Sequence, residues 1–502
     1  MNILLIEPPF YLFQGIGGNN ASYGLKMLAA TVSEQGHVVK VYSPDLEYSG
    51  ESTGAGIVAT ITGYDEKAKE VTERLIDIVS SFSPDVVGVS LLTARADIGM
   101  SLAEAVRRKN PDITIVAGGI HATMFPGELL ASGVFDYVIR GEGEVAFPEL
   151  VEAIARGDDP REGEIPGLSF VDEKGNIAHN QIHYMPDIDS LPLPVHEHFI
   201  NYETYPENAF QSVMFSRGCP YDCGFCASHL IWTRRVRYHS PEYFVDLVSY
   251  LNDRYGMRKF RFNDDTYMTH RKKTAQINRL LIQKGLSIEW FCSGRVELVN
   301  HEILSDMQAA GLTSIGFGVE SADEEIRKKI RKTAPLDVVE SAFRTADDLG
   351  IHTLGYFMIG LPGETYEKAQ RTLDFIERIR PSDPVISIFT PYPGTALYDE
   401  VRDRGLLPET DSPGWDGFYH QSGMNFTGEM TDDQWERTIA RAEDIHDRAS
   451  RWREEKLTRG LVRRFTVKKA LGRYRESPGA IVGDVLRVLS LIRGRIAARL
   501  RR

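Results

Sequence analysis

Two stretches of this chain alternate short, β-rich apolar runs with amphipathic helical patterns, and that alternation restricts the fold more than any other feature. The first stretch is residues 1–150. "NILLIEPP" reads as a buried strand, "GLKMLAATVSEQG" as a helix and "HVVKVYSPD" as a second strand. "DVVGVSLLT", "ITIVAGG" and "FDYVIRGEGE" follow with helices between them, and the last leads into "AFPELVEAIARG". The pattern predicts an α/β domain with a doubly wound, Rossmann-like parallel sheet. Ligand sites in such sheets lie beyond the carboxyl ends of the strands. There the sequence places "SLLT" (Ser90, Leu91, Thr93), "GGIHAT" (Gly118, Gly119, His121) and "GEGE" (Gly141, Glu142, Gly143, Glu144). One such motif alone would be ordinary turn chemistry; three together predict a ligand site.

Residues 151–205 read as a connector, with a small hairpin in "IPGLSFVDEKGNI" and a proline-stiffened "DIDSLPLPVHEHF". The alternation then resumes over residues 206–405. "QSVMFSRG", "KFRFND", "IEWFCSG", "TSIGFGVE", "HTLGYFMIG" and "PVISIFTP" are six strands with helices between them, enough for a partial (β/α)6 barrel of the TIM kind. Each distinctive motif falls at a strand's carboxyl end, the active face of a βα barrel. Residues 406–502 read as a helical region ending in a basic tail, in which Ile481, Val485, Val488 and Ile492 share one side of a helix. That helix could lie on a membrane surface or dock on the protein.

Charge and cysteine usage narrow the partners. From Arg451 onward there are 16 Lys/Arg against 4 Asp/Glu, so a total of −13 leaves −25 on residues 1–450. An acidic body argues against nucleic acid, while the basic tail suits peripheral contact with an anionic surface. Four cysteines in 502 residues are no disulfide scaffold. No leader pattern opens the chain and no apolar run is long enough to span a bilayer, so a cytoplasmic protein is expected, its tail suited to peripheral membrane contact.

Three of the four cysteines sit in "SRGCPYDCGFCASH", spaced Cys219-x3-Cys223-x2-Cys226. Structural zinc draws four ligands, usually as two paired knuckles. Here there is no second pair, Cys292 is alone, and His229 is the only nearby imidazole, so that a Cys3His site through His229 is the one zinc reading left open. Three thiolates on one loop instead suit a [4Fe–4S] cluster with one iron left open to a ligand.

With Phe225 before its last cysteine, this motif resembles the signature of the radical S-adenosylmethionine (AdoMet) superfamily. Residues 1–150 resemble the cobalamin-binding domain that precedes it in the B12-dependent branch. "GGIHAT", "DYVIRGEGE", "GFGVES", "FMIGLPGET" and "PYPGTALY" extend the likeness over residues 1–405. The resemblance implies a cluster on Cys219, Cys223 and Cys226, with AdoMet on the fourth iron. Reductive cleavage would yield methionine and a 5′-deoxyadenosyl radical that takes hydrogen from an unactivated carbon. It places Phe225, Glu320 and Ser321 at the AdoMet site, and makes Ser293 and Arg295 candidates for its polar groups. An ion pair with a barrel carboxylate is the other reading of Arg295. Asp264 and Asp265 either bind a hydroxyl or cap the following helix, and Cys292 is expected to be a buried strand residue. The Asp-x-His-x-x-Gly motif of other cobalamin domains is missing, so the three N-terminal motifs are expected to cradle the corrin and its nucleotide tail without a protein axial ligand. A flavodoxin- or ferredoxin-like electron donor is also implied.

The leading expectation is methyl transfer from methylcobalamin to a carbon of a small molecule or lipid. The alternative with the same cofactors is a cyclase or rearrangement enzyme acting on a tetrapyrrole or lipid. A non-catalytic cobalamin- or metal-binding protein is the third possibility, disfavoured because it would not need six motifs gathered at a barrel mouth.

Overall fold

The computed structural model describes residues 1–10, 12, 20–48, 64–407 and 423–464. Seven strands form the first sheet: β1 (Asn2–Ile6), β2 (Val38–Tyr42), β3 (Val86–Ser90), β4 (Thr114–Gly118), β5 (Tyr137–Ile139), β6 (Leu168–Val171) and β7 (Ile177–His179). Their order is β2-β1-β3-β4-β5-β6-β7. The first five are parallel, with Ile3 opposite both Val39 and Val86. All but the edge strand β2, where Val38 and Lys40 are exposed, are buried on both faces, as their uninterrupted apolar runs require. Ile3, Leu5 and Val86 point to one layer of helices, and Leu4, Val87 and Val89 to the other. The winding reverses between β1 and β3, which opens a crevice at their carboxyl ends.

The hairpin expected in the connector is β6–β7. It does not stand alone: Ile139 pairs antiparallel with Leu168, and Phe170 with Ala178. The first sheet therefore extends to His179, because a lone two-stranded hairpin cannot bury a face and an exposed parallel edge can receive it.

The second sheet is all parallel, in the order β8-β11-β12-β13-β14-β15. Its strands are β8 (Ser212–Val213), β11 (Lys259–Phe262), β12 (Glu289–Gly294), β13 (Leu312–Glu320), β14 (His352–Ile359) and β15 (Asp383–Ile388). An antiparallel ribbon of β9 (Ser216–Arg217) and β10 (Arg237–Tyr238) brackets the cysteine loop. Aromatic side chains seal the strands to the helices, as where Phe244 of the helix Pro241–Tyr255 meets Phe262 of β11 edge-on at 4.9 Å. The helix Asp432–Arg464 starts on a reciprocal cap: Gln434 N–H donates to Thr431 Oγ1 (3.3 Å), and Thr431 N–H to Gln434 Oε1 (3.1 Å). It lies along β15 and the helix Tyr366–Ile379. The amphipathic segment with Ile481, Val485, Val488 and Ile492 lies outside the described residues. Among the described residues no helix is long and apolar enough to cross a membrane.

Two buried contacts bind the sheets to each other. Lys26, on the helix Tyr23–Glu34, is fully buried and donates to the carbonyls of Phe210 (2.9 Å) and Ser212 (2.8 Å), where the second sheet begins. Burial pushes its pKa down to about 7. His196, in the connector, is sandwiched between Phe210 (4.2 Å) and Tyr255 (3.9 Å), and its Nε2 has no partner among the described residues. Burial pushes His196 down to about 3. The folded state then binds fewer protons than the unfolded state between pH 6.5 and that value, so stability falls as pH drops through this window. Denaturant titrations at pH 7 and pH 5 should differ by up to about 2 kcal/mol from this residue, and His196→Phe should remove that part of the slope.

Candidate active site between the two sheets

A cavity of about 300 Å³ opens at the carboxyl ends of β1, β3 and β4. Ser90, Gly118, Gly119, Gly141, Glu142, Gly143 and Glu144 line it, as the sequence predicts. Its floor is apolar, reaching Leu5, Leu28 and Phe147, and Ile231 and Trp232 close it from the barrel side. A methyl group built on Gly118 would meet no atom within 4 Å, so this glycine keeps the cradle open. Gly119 has φ +93°, and a Cβ there would lie 2.8 Å from the Leu91 carbonyl oxygen.

Leu91, Thr93 and His121 do not line the cavity, contrary to the expectation from their motifs. Leu91 is fully buried in the core, its N–H on Gly118 O (2.8 Å) and its carbonyl accepting from His121 N–H (2.9 Å). Leu92 faces the opening instead, as alternation after β3 dictates. Thr93 is buried at the start of a single helical turn. His121 is fully buried 4.9 Å from the Phe125 ring, and burial pushes its pKa down to about 4.

The two carboxylates of "GEGE" line the cavity but are engaged across the domain boundary. Arg217 on β9 donates to Glu142 Oε1 (2.9 Å) and Glu144 Oε1 (2.6 Å). Arg237 on β10 places both terminal nitrogens on Glu142, at 2.7 and 2.8 Å, and Met185 N–H adds a further bond. Burial alone would raise the Glu142 pKa, but the bonds and charges of Arg237 and Arg217 hold it below its ordinary value. Side-chain exposure is 2% for Arg217 and 1% for Glu142. The guanidinium also lies over the Trp232 ring at 5.2 Å.

Arg217 is followed at once by the cysteine loop. Gly218 has φ +98°, in a bend where a Cβ would press on the carbonyls of Thr233 and Arg235. Gly224 fixes the far side: its N–H donates to Ile330 O and its carbonyl accepts from Leu397 N–H, both 3.1 Å. Phe225 packs into a small cluster with Ile326, Phe389 and Leu397. Cys219, Cys223 and Cys226 are all partly exposed free thiols, a donor set fit for three separate irons. Among the described residues no three His, Cys, Asp or Glu groups converge on one metal-ion position, and His229 directs Nδ1 at the Cys226 carbonyl (3.0 Å).

Around the thiols stand the barrel's strand-end residues. Arg295, after β12, makes the ion pair that was one of the two expectations for it. It pairs with Glu297 (2.9 Å), while Nη1 approaches Cys223 Sγ at 3.9 Å and the guanidinium covers the Tyr221 ring at 4.0 Å. Ser293, half-buried near the end of β12, has neighbours on the same strand that pack into the core. Glu320 ends β13 at φ +67°, held by Lys332 Nζ, which bonds its Oε1 and Gly318 O at 2.8 Å each. The Ser321 hydroxyl is fully buried against Thr372 Oγ1 (3.1 Å) and accepts from Asp323 N–H. Asp264 is buried, accepts from the backbone N–H of Phe215 and Ser216, and is pushed up to about 7 by burial. Asp265 bonds Ser228. Neither caps the next helix; His270 does. Cys292 is buried, as expected. Arg217, Lys332 and Trp232 were missed in the sequence, where each looks like an ordinary residue of a strand or helix.

A B12-binding-domain model matches residues 13–151 and a radical SAM superfamily model matches residues 213–376. An uncharacterised methyltransferase of Pyrococcus horikoshii is 32% identical over 81% of this chain and 84% of its own. The chain belongs to the B12-binding radical SAM enzymes. The anaerobic magnesium-protoporphyrin IX monomethyl ester cyclase of Rubrivivax gelatinosus is 27% identical over 70% of this chain and 64% of its own. The radical AdoMet methyltransferase TsrM of Kitasatospora setae, solved with cobalamin and a [4Fe–4S] cluster, shares the fold at TM-score 0.65, with 17% identity and 88% of each chain covered. As a B12-binding radical SAM enzyme, this protein works with a [4Fe–4S] cluster, AdoMet and cobalamin.

Removing Arg217 would strand the buried Glu144 carboxylate and take from Glu142 one of its two guanidinium partners. Arg217→Met is expected to lower stability by about 3–5 kcal/mol in chemical denaturation of the full chain. A loss within the range of an exposed pair, below about 1 kcal/mol, would show that the junction is solvated.

Proposed function

We propose that this enzyme transfers a methyl group to an unactivated carbon of a small molecule or lipid. Cys219, Cys223 and Cys226 would hold the cluster, with AdoMet beside Arg295, Glu320 and Ser293. The cradle over Gly118 would hold cobalamin with no histidine from the protein, since His121 lies in the core. When bound, these groups supply a hydrogen-abstracting radical and a transferable methyl group. One observation carries the reading: Ile231 and Trp232, which close the N-terminal cavity, come from the helix Ser228–Trp232 directly after the cysteine loop. The two cofactor sites thus share a wall and address the same space. Arg217 and Glu142 fix their separation, while the apolar cavity floor excludes water from a bound tail group. Residues 1–179 would form the cobalamin domain, residues 206–405 the barrel, and the helix from Asp432 a buttress on β15.

The cyclase relative favours a second reading in which the same cofactors close a ring without methylation. Incubation with AdoMet carrying a deuterated methyl group and a metabolite-and-lipid extract separates the two. Methyl transfer predicts a product heavier by one labelled methyl-derived group, whereas an unlabelled product lighter by two hydrogens supports cyclisation. The cofactor sites are tested by metal analysis after anaerobic reconstitution. Gly118→Val should weaken cobalamin retention about tenfold or more with iron content unchanged. Replacing Cys219, Cys223 and Cys226 by Ala should abolish iron and leave cobalt. Equal cobalt in Gly118→Val would overturn the cradle assignment.

A further inference from the structure

We infer that the barrel interior below the thiol loop holds the substrate by a carboxylate or phosphate group, with Arg261 as the anchor, a role that rests on the cofactor chemistry proposed above. Alternation divides each strand of the second sheet between two faces. Phe260 and Phe262 of β11, Trp290 and Cys292 of β12, and Phe357 and Ile359 of β14 pack outward into the core. Arg261, Ser293, Tyr356 and Ser387 lie on the opposite, inner face and are partly exposed. In a closed βα barrel such positions are filled by layers of bulky branched side chains. Here polar groups occupy them and solvent reaches them, so the interior is shaped for a ligand.

Four neighbouring strands build one plate on this inner face. The Arg261 guanidinium of β11 lies over the Phe291 ring of β12 at 4.3 Å. A Cβ built on Gly316 of β13 would meet Phe291 Cζ at 3.2 Å, and Tyr356 Cε2 of β14 at 2.6 Å, so the glycine lets the two rings converge. Among the described residues no carboxylate pairs with Arg261, and the Tyr356 hydroxyl has no hydrogen-bond partner. The acidic groups of this face are engaged elsewhere. Asp383, at the foot of β15, meets His352 (2.6 Å) and Arg453, while at the mouth Glu320 is held by Lys332 and Asp265 by Ser228. A guanidinium held partly out of water with no counter-ion carries a desolvation cost that a bound anion offsets. Contact through its face leaves the in-plane N–H groups of Arg261 to a ligand, and their fork matches a carboxylate or phosphate. Arg261 is level with Phe291, four residues and about 13 Å of strand below Arg295. A ligand anchored there extends toward the thiol loop.

The test uses the reconstituted full chain and a metabolite extract divided on a quaternary-ammonium resin into retained and unretained fractions. 5′-Deoxyadenosine formed above the extract-free rate reports productive binding. The retained fraction should stimulate it and the unretained fraction should not. At wild-type iron and cobalt content, Arg261→Gln should raise the amount of retained fraction needed for half-maximal stimulation about tenfold or more. Arg261→Lys, which keeps the charge and loses the fork, should fall between, and Tyr356→Phe should raise the amount about threefold. Each variant reads the site by itself, so one that fails to fold leaves the others to decide. Alkaline phosphatase separates the two sources: stimulation lost on treating the retained fraction assigns a phosphate ester, and stimulation that persists assigns a carboxylate. Stimulation by the unretained fraction alone, or equal half-maximal amounts in wild type and the folded variants, would overturn the anion site. With AdoMet carrying a deuterated methyl group, Arg261-dependent stimulation without label in the product would overturn methyl transfer and leave the anion site standing.

Discussion

The buried contact of Arg217 with Glu142 and Glu144 is the constraint on which the two-domain arrangement depends. Its guanidinium leaves water almost completely, and so do both carboxylates. Desolvating such groups costs several kcal/mol per ion, recovered only with good geometry and further hydrogen bonds. Arg237, Met185 N–H and the Trp232 ring supply them. A shift of either sheet would break bonds to a charge that has no water to turn to. The interaction therefore specifies one relative position of the sheets more than it adds stability, and that position sets one wall of the cavity and the first residue of the cysteine loop.

Lys26 and His196 work on the same boundary by other means. Among the described residues Lys26 has no carboxylate partner; its ammonium is satisfied by two backbone carbonyls of the second sheet's leading segment. His196 fills an aromatic stack as a neutral ring. Together with Arg217 they place three buried polar groups along the seam between the sheets, each correct in only one registry. Cofactor sites supplied by different domains need such a seam, because a loose one would let the cavity and the thiol loop drift apart.

Much of this was legible in the sequence. The five parallel strands of the first sheet and the six of the second read from their apolar content, in unbroken runs where both faces are covered, as in β1 and β3, and in alternation elsewhere, as in β14 and β15. The site motifs were found by the same logic, at strand ends. What failed was side-chain direction. Leu91 and His121 sit within motifs that do line the cavity, yet alternation after β3 turns Leu91 into the core and the helical turn Ile120–Met124 turns His121 there. The carboxylates of "GEGE" read as ligand groups because their partner, Arg217, lies 73 and 75 residues away, and pairing at that range leaves no local trace. The hairpin was found but not its sheet, since edge pairing is decided by the neighbour and not by the strand.

The thiol loop shows how far the protein prepares its site before any metal arrives. Burial pushes Cys226 up to about 11 and raises Cys223 as well, so the protein environment alone favours neutral thiols at these two positions. The loop's shape does not wait for them to ionise. Gly218 makes the bend, Gly224 is pinned by two backbone bonds, and Phe225 anchors in its own apolar cluster. Lys332 and Arg295 lower the Cys223 pKa against the effect of burial. Thiolates are thus stabilised mainly by the irons they bind, on a scaffold whose conformation is already set by glycine geometry and packing. A loop built this way can stay partly open to solvent, where cluster delivery and electron entry both require access, without losing the fixed separation from the cavity that Arg217 maintains.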